Sequence, residues 1–166
     1  MNYLLDSNTV SDLYNPSGVN HIKVVNNLLN LKSERVFISI LTVYEFEYGF
    51  ANAPVEKQER IKATILQIQK DFPLLPLSTN AAEIFGELKC RYKMATHINQ
   101  ENLKKHTIDL IITSIALSHN LTVISADKIY RDIMLLQPDF AMENWVGGMT
   151  NVSDAKCFLT LLTSPA

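Results

Sequence analysis

The sequence predicts a three-layer α/β domain with a central, mainly parallel sheet flanked by helices. Three observations carry that prediction: short apolar runs of strand length recur along the chain, longer segments of helical spacing lie between them, and the two kinds alternate. The runs are "YLL" (3–5), "VFISI" (36–40), "PLLPL" (73–77) and "LTVIS" (121–125), each bounded by polar or turn residues. Between them, 55–72 places Ile61, Ile65, Ile68 and Phe72 at steps of four, three and four, one face of an amphipathic helix whose first turn accepts Pro54. The segment 79–97 repeats that stripe with Ala81, Phe85, Leu88, Tyr92 and Ala95. In 107–119, Ile108, Ile111, Ile112 and Ile115 do so again, with Thr107 as a candidate N-cap. No internal repeat or low-complexity linker interrupts the pattern. Residues 1–146 are therefore expected to form the domain, with 147–166 as a C-terminal extension packed on it; Val152, Phe158, Leu159 and Leu162 supply its apolar surface.

At 166 residues, with 47% apolar and 19% charged side chains, the chain is long enough to bury a core without disulfides or metals. Its net charge of −2 does not attract phosphate, so any contact with nucleic acid needs a local basic patch. Cys90 and Cys157 stand far apart and show no metal or redox spacing, which suits a reducing cytoplasm. No run approaches the ~20 apolar residues of a membrane span, and no basic, apolar leader opens the chain. Neither export nor membrane insertion is expected.

Open α/β sheets place their ligand sites outside the carboxyl ends of the strands. Asp6 follows the first strand there, and Asp127 lies two residues past 121–125. Asp109 falls in the first turn of the apolar helix 107–119, and Glu45 sits in "LTVYEFEYGF", which is expected to leave 36–40 as a helix. Each acid has an ordinary alternative role. Asp6 can be a turn residue or N-cap, Asp109 can complement a helix dipole, Asp127 can cap 128–134, and Glu45 can be solvated beside Glu47. Taken singly, those roles are favoured. Taken together, four carboxylates from four segments at one sheet edge repel one another unless a cation or a shared proton relieves them. An all-oxygen set selects Mg²⁺ or Mn²⁺ over zinc.

The ordered motifs Asp6-Ser7-Asn8, "SILTVYEFEYG" with Glu45 and Gly49, "HTIDLIITSIALSHNLTVISADKIY" with Asp109, Ser125 and Asp127, and "MENWV" (142–146) resemble a PIN-domain ribonuclease of the VapC toxin type. Ser7 and Ser125 stand where that family usually has Thr, and both keep a hydroxyl. The resemblance implies a metal-dependent endoribonuclease, the toxin of a type II toxin–antitoxin pair. It implies Asp6, Glu45, Asp109 and Asp127 as the catalytic acids and ligands of Mg²⁺ (or Mn²⁺), with Asn8 and Ser125 orienting them from behind. Its implied partners are an RNA substrate, a small antitoxin protein, promoter DNA reached only through that antitoxin, and a second copy of the chain in a homodimer.

An RNA substrate also needs cations near the acids. "KCRYKMATHINQENLKKH" (89–106) offers Lys89, Arg91, Lys93, Lys104 and Lys105, of which Arg91, Lys104 and Lys105 are the candidate RNA contacts; a solvated helix face explains them equally well. Tyr92 offers a stacking surface, but its place in the apolar stripe favours the core. His106 is better read as a cap than as a catalyst. Two other classes compete. A haloacid dehalogenase-type phosphatase wants a second Asp where this chain has Asn8, and an inactive PIN fold would serve only as a binding or regulatory partner.

Overall fold

In the computed structural model, which describes residues 1–147, the order is β1 (Tyr3–Leu5), α1 (Ser7–Leu13), α2 (His21–Asn30), β2 (Val36–Ser39), α3 (Ile40–Asn52), α4 (Val55–Asp71), β3 (Leu74–Leu75), α5 (Thr79–Thr96), α6 (Gln100–Lys105), α7 (Thr107–Ser118), β4 (Thr122–Ile124), α8 (Lys128–Leu136) and β5 (Ala141–Glu143). The strands form one sheet in the order β3-β2-β1-β4-β5, and every pairing is parallel. β1 is central, with Leu5 opposite Ile38 on one side and Ile124 on the other.

Because side chains alternate across a strand, neighbouring residues of β1 feed different layers. Leu4 joins a core cluster with Val123 and residues of α5, α7 and α8, among them Leu88, Ile112, Ile115 and Tyr130. Tyr3 and Leu5 join the opposite cluster with Val10, Val24, Ile38, Ile68 and Trp145. The sheet is thus buried on both faces, which explains why its strands read as continuous apolar runs rather than alternating ones.

The three-layer reading holds, with local corrections. Ile40 opens α3 instead of ending a strand, and only Leu74–Leu75 of the 73–77 run pairs, since Pro73 and Pro76 flank it. Thr107 is the first residue of α7, and His106 takes the N-cap position. Ala95 is exposed near the end of α5, and Ile108, in the first turn of α7, is 40% exposed. The sequence reading passed over α2, whose three asparagines weaken its helical signal, and the short α6, whose N-cap Asn99 accepts from Asn102 N–H. The expected extension from 147 onward, apart from Gly147 itself, and Cys157 lie outside the described residues.

Candidate active site

Strand order reverses between β1 and β4, and the carboxyl ends of those two strands bracket the site. Asp6 directly follows β1 and is 4% exposed. It occupies the N-cap position of α1 but makes no side-chain cap hydrogen bond. Its carboxylate instead accepts from Ser125 Oγ at 3.0 Å on Oδ2 and from the Tyr130 hydroxyl at 3.3 Å on Oδ1. Asp127 repeats the pattern: it stands at the N-cap of α8 without capping it, and accepts from Asn8 Nδ2 at 2.9 Å. Its own backbone N–H donates to Ser125 Oγ at 3.1 Å, so Ser125 links the two acids.

Glu45 reaches the same edge from α3. That helix is started by Ser39, fully buried at the end of β2, whose side chain accepts from Thr42 N–H. Thr42, also fully buried, lies 3.3 Å from Ser7 Oγ, and the Ser7 hydroxyl donates to Glu45 Oε2. Asp109 lies in the first turn of α7, and 3.7 Å separates its Oδ2 from His106 Nδ1.

Burial, above all, pushes the Asp6 carboxyl up to about 6; the Ser125 hydrogen bond opposes this, while the charges of Asp127 and Asp109 add to it. Asp109 is likewise pushed up to about 6, first by burial and then by Asp127 and Glu45. The four acids therefore sit within one another's fields. Among the described residues no Lys or Arg is ion-paired with any of them. Nor do three His, Cys, Asp or Glu side chains there enclose an ion by themselves. Such an uncompensated, all-oxygen set fits a hard divalent cation that keeps several waters and uses only one or two carboxylates, the binding habit of Mg²⁺.

Sequence reading missed Tyr130. Its side chain is fully buried, and burial followed by the nearby Asp6 and Asp109 charges holds its hydroxyl protonated well above the ordinary tyrosine range. The available signal was its spacing, one turn after Asp127 on the helix that Asp127 begins. Lys104 and Lys105 are exposed on the last turn of α6, immediately before α7. Lys89 donates to Thr107 Oγ1 at 3.1 Å and so reaches the same helix start. Arg91 does not join them: it lies with Ile84 and Glu87 along a cleft of about 600 Å³ that also touches Met1, Thr122 and Ala141, at the amino ends of the strands. Tyr92 is core, 4% exposed, with its ring edge-on to His106.

The PIN domain family model matches residues 3–134. The chain belongs to the PIN-domain family. Comparison with curated protein sequences finds no match. Among solved structures, this PIN domain is similar to FitAcB from Neisseria gonorrhoeae at 26% identity and a TM-score of 0.68, covering 84% of this chain and 95% of that one. VapBC2 from Rickettsia felis, bound to a DNA fragment from its promoter, gives 24% identity and a TM-score of 0.70 over 87% and 99%. VapBC-1 from nontypeable Haemophilus influenzae gives 20% identity and 0.67 over 89% and 100%; the last two likenesses speak to the fold alone. The resemblance to PIN domains drawn from the motifs holds. No helix of this PIN domain, among the described residues, is long and apolar enough to cross a membrane.

Proposed function

We propose that this PIN domain is a divalent-metal-dependent endoribonuclease and the toxin of a type II toxin–antitoxin pair. The observation that carries the reading is the gathering of Glu45 and Asp127 around the buried Asp6 and Asp109, whose carboxyls are raised by burial and by neighbouring acid charges, without a Lys or Arg partner among the described residues. Asp6 and Asp109 are the principal ligands for Mg²⁺ or Mn²⁺, with Glu45 and Asp127 completing the acidic ring. A bound divalent ion supplies polarisation of the scissile phosphate and a water of lowered pKa. The chain supplies the rest. Ser125 fixes Asp6 against Asp127, Asn8 holds Asp127, and Ser7 holds Glu45. Lys104, Lys105 and Lys89, at the start of α7, are placed to hold RNA phosphates beside Asp109. Arg91, on the opposite edge, is left out of that interface.

The likeness to FitAcB and to FitAB bound to an IR36 DNA fragment, both at 26% identity, supports a DNA-linked complex; the partners in this reading are a small antitoxin protein, a second copy of this chain, and promoter DNA reached through the antitoxin. The cytoplasm is the compartment where RNA and such a partner meet. The test is cleavage of a structured RNA pool by purified, partner-free protein with Mg²⁺ or Mn²⁺, with EDTA and Asp109→Asn as controls. Cuts that vanish in both controls are the expected result. A folded protein that binds neither metal would overturn the reading in favour of an inactive PIN fold acting as a binding module.

A further inference from the structure

We propose that Tyr130 is a positioning residue of the acidic site: its buried hydroxyl holds the Asp6 carboxylate in the orientation in which it takes a divalent cation. This rests on the metal-dependent reading above and adds to it a residue outside the four acids and their serine and asparagine supports.

Packing fixes the ring first. Tyr130 is fully buried in α8, which packs on α5, α7 and β5, and its ring lies 6.2 Å from that of Phe140. With the ring held by the core, the hydroxyl has a fixed position and only a rotating O–H. It donates to Asp6 Oδ1 at 3.3 Å, the carboxylate that directly follows β1. A carboxylate presents about four lone pairs. In Asp6, Ser125 takes one on Oδ2 and Tyr130 one on Oδ1, which fixes the plane of the group. A phenylalanine would pack equally well in this position and would do none of this. The hydroxyl is thus an addition to the core whose only partner, among the hydrogen bonds of the described residues, is the Asp6 carboxylate. A neutral donor suits that role, because it orients the acid without cancelling the negative charge that a cation needs.

The experiment is titration of the full, metal-free chain and of its Tyr130→Phe variant with Mn²⁺ alone, followed by calorimetry, with thermal unfolding as the check on folding. Removing an orienting partner of a metal ligand typically weakens metal binding 10- to 100-fold, and about a tenfold loss is expected here. Equal Mn²⁺ affinity in a folded Tyr130→Phe overturns the role of Tyr130 and leaves the metal reading intact. A parent chain that binds no Mn²⁺ overturns both. Should Tyr130→Phe fail to fold, 3-fluorotyrosine placed at position 130 alone decides the matter by fluorine NMR. A resonance that moves during a Mg²⁺ titration and saturates with binding supports the role, and one that stays fixed while the metal binds overturns it.

Discussion

Without a metal, Asp6 keeps its proton up to about pH 6, whereas the ordinary value for the side chain is 3.8. Folding therefore takes up protons between those values, and stability must fall as pH rises through that window. Two pKa units in a group as buried as Asp6 correspond to an effect on the order of 2–3 kcal/mol. Asp109, raised in the same direction but less buried, adds to it. The metal-free protein should accordingly melt at higher temperature at pH 5 than at pH 8, and saturating Mg²⁺ should raise the pH 8 value most. Thermal unfolding across that range checks both; a flat profile would mean that the acids are not sharing one desolvated site. By the same logic Asp109→Asn should abolish metal-dependent cleavage and yet stabilise the metal-free fold at pH 8. Asp6 and Asp127 stood out in the sequence because the first directly follows a strand run and the second lies two residues past one. What remained hidden was that both occupy N-cap positions without capping, since only the rotamer distinguishes a cap from a ligand.

α3 ties the site to the sheet through Ser39, Thr42, Ser7 and Glu45, a chain of hydroxyls running from the end of β2 to the acid. Ser39→Ala removes the N-cap and one end of that chain. It should cost about 1 kcal/mol of stability and lower cleavage by more than the reduced stability accounts for, with Glu45 less firmly held. Chemical denaturation together with cleavage rates at a temperature well below unfolding separates the two effects. In α6 and α7 the test is electrostatic. Lys104→Ala with Lys105→Ala should weaken RNA binding and flatten its dependence on salt, by about 0.7 in logarithmic slope for each single-strand phosphate no longer neutralised. An unchanged slope would make the pair a solvated helix end. Helices with apolar stripes were readable from spacing alone, as Ile65 and Ile68 in α4 or Ile112 and Ile115 in α7 illustrate. The place of Arg91 was not readable, because proximity in sequence to Asp109 hides the turn of α5, which puts position 91 on the stripe shared with Ile84 and Glu87.

Across the molecule, the alternation of apolar runs and helices identified the parallel sheet, but strand order lay beyond it. The order depends on which strands pair in the plane of the sheet, and runs as alike as 3–5, 36–40 and 121–125 do not reveal it. That order has a consequence in time. β1 spans three residues and is paired on both sides, Tyr3 with Val36 and Tyr3 with Thr122, so its second neighbour lies more than a hundred residues downstream. Such distant parallel pairings are slow to form, because the intervening loop must close before any contact rewards it. During synthesis, Asp6 emerges early and then waits for β4, Ser125 and Tyr130 before its carboxylate has a single donor from that side. A nascent or truncated chain that stops short of α8 has therefore no acidic centre to arm. Assembly of the cluster becomes one of the last events in the making of the domain, leaving the interval beforehand chemically silent.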